Sequence, residues 1–143
     1  MLGRNKHQKP MTARIERPLS PHMQVYRWTL TMALSIVHRA TGIALYVGTL
    51  LLAWWLIAAA SNSAGAYANV QAFTGSIIGR LIVFGYTWAL MHHMLSGIRH
   101  FVWDLGFGFK ANEREALTWA VLIGGIVLTI LIWIVAYAIG GVR

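Results

Sequence analysis

The chain alternates between three long uncharged stretches and shorter segments that hold nearly all of its charge. The uncharged stretches cover residues 40–60, 81–98 and 117–142. Each meets or approaches the ~20 residues that an α-helix rising 1.5 Å per residue needs to cross a hydrocarbon core of ~30 Å. A helix can continue past its uncharged run into the interface, so the pattern predicts transmembrane helices over about residues 28–60, 73–100 and 117–140. Between the first two, Ser61, Asn62, Ser63, Gly65 and Asn69 read as an exposed loop of small polar residues. In the arm of residues 1–27, Pro18 and Pro21 oppose a regular helix. With no internal repeat, residues 1–143 read as a single membrane-anchor domain of the all-α class.

Composition agrees with this pattern. With 57% hydrophobic and 11% charged residues, the chain is too apolar for an ordinary soluble domain of its size. A net charge of +8 raises nucleic acid as a partner, but the basic residues avoid the apolar runs and crowd their flanks, which a membrane explains better. No nucleic-acid partner is expected. The absence of cysteine excludes disulfides, thiolate metal sites, iron–sulfur ligation and a cysteine nucleophile on this chain. Any cofactor must be held by His, Met, Tyr or carboxylate.

Charge also orients the spans. The arm carries Arg4, Lys6, Lys9, Arg14, Arg17 and Arg27 against Glu16, residues 61–79 carry no Lys or Arg, and the second connection offers Lys110 and Arg114 beside Arg99. The positive-inside rule puts the amino terminus and the second connection in the cytoplasm. Trp28, Trp103 and Trp119 then lie near cytoplasmic ends, and Trp54 and Trp55 near the opposite end of the first helix, as interfacial belts require. The arm lacks the apolar core of a secretory signal, so no cleaved signal is expected. The location favoured is a bacterial inner membrane, multi-pass, ahead of a mitochondrial one.

Polar residues inside the spans carry the candidate chemistry. Ser35, His38 and Arg39 come early in the first helix; His92, His93, Ser96, Arg99 and His100 come late in the second, followed by Asp104. Antiparallel helices bring these clusters to similar depth on the cytoplasmic side. An Arg at the centre of a spanning helix costs ~2.5–3.5 kcal/mol on insertion scales and usually faces a partner, cavity or ligand. Arg39 either snorkels to the headgroups or serves a site, and Ser35 and His38 beside it favour the second. Ser35 and Arg39, four apart, share a face and offer a hydroxyl and a fixed cation to a quinone carbonyl. His38 and Gly42 set an imidazole beside a position with no side chain, where a flat macrocycle or another helix can approach.

In the second helix His93, Ser96, Gly97 and His100 form one stripe, and His92 points about 100° away. A neutral imidazole is a good axial ligand for haem iron, and Gly97 leaves room for a porphyrin edge. Arg39, Arg99 and His38 are candidate partners for haem propionates. The second axial ligand comes either from another subunit or from His38. Asp104 is either an interfacial carboxylate, free or paired with Arg99, or a proton-delivery group for quinone reduction. The third span, with Thr118, Thr129 and Tyr137, reads as packing.

The segment Arg17-Pro18-Leu19-Ser20-Pro21-His22, then Ser35-Ile36-Val37-His38-Arg39 with Gly42, then His93 leading through Gly97-Ile98-Arg99-His100 to Asp104, closely resembles the cytochrome b subunits of succinate dehydrogenase, the larger membrane anchors of respiratory complex II. The resemblance implies that His93 ligates haem b, with the other axial ligand on a second anchor subunit. It implies that Ser35 and Arg39 line a ubiquinone site, that Arg39 and His38 approach a haem propionate, and that Asp104 lies near the quinone. Arg99 and His100 join the cofactor-binding set. FAD and iron–sulfur clusters would sit on a flavoprotein and an iron–sulfur subunit, in a heterotetramer serving electron transport and the tricarboxylic acid cycle. An anchor of a fumarate reductase, or a purely structural anchor, are the competing readings.

Overall fold

The computed structural model describes residues 18–61 and 64–140. The basic arm through Arg17, and Asn62 and Ser63 of the first connection, lie outside the described residues. The chain is helical: one 3-10 turn at His22–Gln24, then α1 (Leu30–Ala60), α2 (Ala64–Gly75), α3 (Ile77–Asp104) and α4 (Ala111–Ala138).

Three of these helices are long and apolar enough to span a membrane: α1, α3 and α4, with mean hydropathies of 2.1, 1.2 and 2.6. The low value belongs to α3, which holds His92, His93, Ser96, Arg99 and His100. At 1.5 Å per residue α1 is about 46 Å long, so its ends pass beyond a ~30 Å hydrocarbon core. The Thr29 hydroxyl starts α1 by accepting from the Met32 N–H at 3.4 Å. Its counterpart at α3 is Ser76, which accepts from the Gly79 N–H at 3.1 Å. α4 begins at Ala111, ahead of its uncharged run, because the charged segment 112–115 is itself helical and projects from the apolar span.

The first connection departs from the expected loop. Alanines 64, 66, 68 and 72 favour helix, and α2 forms there with Val70 buried beneath it. Phe73, expected to open the second span, instead belongs to α2, and the span proper starts at Ile77. The break is tight: the Ser76 hydroxyl donates to the Phe73 carbonyl at 2.6 Å, and Gly79 lies so close to that carbonyl that a Cβ would collide with backbone. The other connection closes α3 with a Schellman turn. Gly106, at φ +85°, donates to the Trp103 carbonyl at 2.8 Å, and Phe107 N–H reaches back to Val102 at 3.1 Å.

α3 is the central helix, packed most extensively on α4 and next on α1. Lipid offers no hydrophobic drive between helices, so small residues that let backbones approach do this work. Gly125 of α4 rests on the His92 backbone, and the ring of Tyr86 lies over Gly48 of α1. Thr31 and Thr118 join α1 to α4 at 3.1 Å, and the Trp133 indole donates to Thr87 at 3.3 Å. Among the described residues the buried apolar side chains are few, namely Leu34, Ala58, Val70, Ala89 and Val121, while large ones such as Ile43, Leu50, Ile57, Leu81 and Ile134 are exposed. Surfaces this apolar belong against lipid or partner helices.

Gly48→Ala sets a methyl group into the Tyr86 ring, whereas Gly85→Ala meets open space. Overpacking of this kind costs typically ~1–3 kcal/mol. In thermal unfolding of the detergent-solubilised protein, Gly48→Ala should lower the midpoint by several degrees and Gly85→Ala should not; equal midpoints would refute the close α1–α3 approach.

Candidate functional site

α1 runs away from the end at which α3 finishes, so the early polar residues of one face the late polar residues of the other. Three imidazoles result: His38 lies 4.2 Å from His93 and 5.2 Å from His100, centroid to centroid, tilted by 34° and 33°. The His93 ring is fixed from α1. Its Nδ1 is 3.1 Å from the His38 carbonyl oxygen and 3.3 Å from Thr41 Oγ1, and the Thr41 hydroxyl donates to the same carbonyl at 2.9 Å. A carbonyl only accepts, so this contact calls for the proton on Nδ1, which in the neutral ring leaves the lone pair on Nε2. Nε2 makes no hydrogen bond among the described residues.

Gly42 makes room for this seat. A Cβ there would stand 3.1 Å from His93 Cε1, so the open position beside His38 receives the imidazole of the facing helix, the second of the two occupants expected of it. The space at Gly97, one turn beyond His93, is open on its outer side. Thr41, almost wholly buried, was not singled out from sequence. Its spacing of three from His38 puts it on the same helix face, and that was the available signal.

His92 occupies a different environment. It is 0% exposed, its ring stacks on Trp88 at 5.3 Å and lies 3.5 Å from Ser96 Oγ, and Gly125 of α4 covers its backbone. The adjacent histidines therefore face opposite neighbours: His92 is enclosed against α4, and His93 faces α1 with one nitrogen uncommitted. Arg99 follows the His92 and Ser96 stripe. It is 2% exposed, its guanidinium carbon lies 4.9 Å from the Trp103 ring centroid, and Nε and Nη1 have no partner among the described residues. The same Trp103 ring stands edge-on to His100 at 5.3 Å. Trp103, read from sequence only as an interfacial marker, thus backs both a buried cation and the last imidazole of the row.

Ser35 is half-buried on α1, Arg39 is exposed one turn further, and Asp104 is exposed at the end of α3. Asp104 does not pair with Arg99; the ion pair among the described residues is Lys110 to Glu113 at 3.4 Å. Clefts of about 530, 650 and 840 Å³ are lined by none of Ser35, Arg39 and Asp104. The 840 Å³ cleft lies at the same end of the bundle, between the segment before α1 and the start of α4, with Arg27 and Arg114 on its walls. Among the described residues no three His, Asp or Glu side chains converge to hold a bare metal ion. What the cluster offers is one oriented imidazole lone pair, flanking imidazoles and cations.

Comparison with known proteins gives a consistent picture. The family described as succinate dehydrogenase/fumarate reductase transmembrane subunit matches residues 13–132. The chain is 42% identical over 121 residues to the succinate dehydrogenase cytochrome b556 subunit of Paracoccus denitrificans, covering 85% of this chain and 92% of that protein. It is 35% identical over 119 residues to the corresponding subunit of Rickettsia felis, covering 83% and 92%. The mitochondrial cytochrome b560 subunit of Sus scrofa is 43% identical over 108 residues, covering 75% of this chain and 64% of its own length.

Proposed function

The chain belongs to the succinate dehydrogenase/fumarate reductase transmembrane subunit family, as a complex II cytochrome b anchor of the inner membrane, and from that premise we propose that it holds haem b and forms part of the site where electrons from succinate reduce ubiquinone. Succinate chemistry resides elsewhere in the complex, on a flavoprotein carrying FAD and an iron–sulfur subunit. Those two, with a second small membrane anchor, complete a heterotetramer. The amino terminus, the second connection and the polar cluster face the cytoplasm. The basic residues of the arm and of the start of α4 support that orientation.

The observation that carries the haem reading is the His93 ring. An axial histidine commits its second nitrogen to a carbonyl or carboxylate, which fixes tautomer and ring plane and raises the basicity of the ligating nitrogen. His93 has that arrangement, Nδ1–H to the His38 carbonyl and a free Nε2. His92 does not, being enclosed against α4. With their rings 4.2 Å apart, His38 and His93 leave no room between them for a flat macrocycle, so His93 would hold the haem with a second ligand from the other anchor subunit rather than with His38. His38 and His100 flank the ligand, and with Arg39 and Arg99 they supply the positive and hydrogen-bonding groups that propionates require. The unpartnered Nε and Nη1 of Arg99 suit such an anion. Bound haem supplies a one-electron store beside the quinone.

At the quinone, the Ser35 hydroxyl and the Arg39 guanidinium donate to a carbonyl oxygen, and the fixed cation stabilises negative charge as reduction proceeds. Asp104, exposed at the aqueous end of α3, passes protons to the two oxygens that become hydroxyls. The partner subunits close the remaining walls, in keeping with the exposure of Arg39 and Asp104 on this chain alone. The family description covers fumarate reductase as well; turnover of the purified complex with ubiquinone against menaquinone separates the two directions of use.

Two measurements test this reading. The purified complex should show a reduced b-type spectrum that His93→Ala abolishes or shifts and His92→Ala preserves; the reverse pattern would overturn the ligand assignment. Loss of an outer partner typically costs ~10–100-fold in affinity or activity. Thr41→Val should accordingly shift the spectrum and haem retention, with Thr41→Ser restoring both. In the assembled complex, Arg39→Ala should reduce succinate–ubiquinone turnover by about a hundredfold, as removal of a charge-stabilising donor does, while succinate oxidation with a soluble dye acceptor is retained. A purely structural anchor would leave both rates intact.

A further inference from the structure

The half of the bundle away from the histidines contains one charged side chain among the described residues. Between Arg39 and His92, and again from Ala116 to Gly140, Arg80 alone carries a formal charge. It sits in the first turn of α3, half-buried, and its side chain makes no hydrogen bond or ion pair among the described residues; its Nε is fully buried without a partner there. The acids Asp104, Glu113 and Glu115 are all at the opposite end. A guanidinium at the membrane boundary with a buried donor unpartnered among the described residues is suited to an anion from outside the chain.

Arg80 lines the cleft of about 530 Å³ formed where α2, α3 and α4 meet. The cleft is graded along the helix axes. By position along the helices, Gln71 and Thr74 near the end of α2 and Arg80 in the first turn of α3 form its outer level, Val83 and Ala136 come about one turn further towards the histidine end, and Thr87 and Trp133 about two. The inner hydroxyl and indole are already committed: Trp133 donates to Thr87, which donates to the Val83 carbonyl at 2.8 Å. Thr74 likewise donates to the Val70 carbonyl at 3.0 Å. Free donors are thus confined to the outer level, at Arg80 and the Gln71 amide, and the depth is apolar. Gly79, seated on the Phe73 carbonyl, holds α2 against the start of α3 and so sets the rim.

We propose that this cleft binds an anionic phospholipid of the leaflet opposite the histidine cluster, with Arg80 holding the phosphate and the Val83–Ala136 wall receiving the start of an acyl chain. A charge over an apolar slot is the amphipathic order of a lipid, and a planar guanidinium matches phosphate oxygens in pairs. A soluble anion would satisfy the outer level and leave the slot empty. A carboxylate from a neighbouring subunit would have no use for it either.

The test uses the purified, delipidated complex. Phosphatidylglycerol, phosphatidylcholine and inorganic phosphate are added separately, and bound lipid is counted by native mass spectrometry alongside the thermal midpoint. Phosphatidylglycerol should bind and raise the midpoint, and the other two should not. Arg80→Ala should weaken its retention about tenfold, the scale of one charge-assisted contact, with the b-type spectrum and quinone turnover unchanged. Ala136→Phe, which fills the slot and keeps the cation, should weaken it too and decides the matter if Arg80→Ala fails to assemble. Equal retention by wild type and the variants would overturn the proposal. So would stabilisation by inorganic phosphate alone, or loss of a subunit from Arg80→Ala with lipid retention intact.

Discussion

The carbonyl of His38 is the point on which the polar interior depends. In a bilayer a polar nitrogen must find its partner within the protein or in what binds to it, because the lipid supplies none. His38 O lies in the first spanning helix and also takes the Nδ1–H of His93 and the hydroxyl of Thr41. One acceptor thereby ties α1 to α3, calls for the Nδ1–H tautomer of His93, and leaves the other nitrogen of that ring without a hydrogen bond among the described residues. Gly42 is the condition for it, since a methyl group at that position would press on His93 Cε1 at 3.1 Å. Sequence spacing treats His38 and Gly42 as a histidine beside a gap; in the fold, the gap is where the other histidine goes.

The spans were legible because lipid imposes a length and a composition that few other constraints share. α1, α3 and α4 follow the three uncharged runs, and the antiparallel meeting of residues 35–42 with 92–104 follows from there being one spanning helix each way. α2 was not legible. Its Asn69 and glycines, next to Ser61, Asn62 and Ser63 in sequence, resemble a loop, and its alanines favour helix only weakly until Val70 is buried where α2 packs on α1 and α3. The boundary at Ser76 was hidden as well, since no charge separates Phe73 from Ile77 and the sharp break between them is made by a single hydroxyl and a glycine.

Within the site, periodicity separated His92 from His93 by angle but not by surroundings. What distinguishes them is which helix each meets: α4, with Gly125 packed on the His92 backbone, or α1, with a carbonyl waiting for an N–H. Arg99 shows the limit of the same reasoning. Depth grouped it with His93 and His100, and its place at i+7 from His92 adds that it continues the His92 stripe against the Trp103 ring that also meets His100, with two buried nitrogens unpartnered among the described residues. Neither assignment was available without knowing that α4 covers one flank of α3 and leaves the other to α1.

The idle groups have a pattern. Among the described residues, Nε and Nη1 of Arg99, Nε2 of His38 and Nδ1 of His92 are buried without a partner at one end of the bundle, and Nε of Arg80 at the other. A three-helix bundle with few buried apolar side chains has too little interior to satisfy them itself, and each unpaired buried donor costs about 1–3 kcal/mol. The chain is therefore built to be completed from outside, but not by the same thing at both ends. At the histidine end the unspent groups are several, of mixed type and close together, which suits a large cofactor and neighbouring subunits. At the Arg80 end there is one cation above an apolar slot, and the membrane itself supplies molecules of that shape.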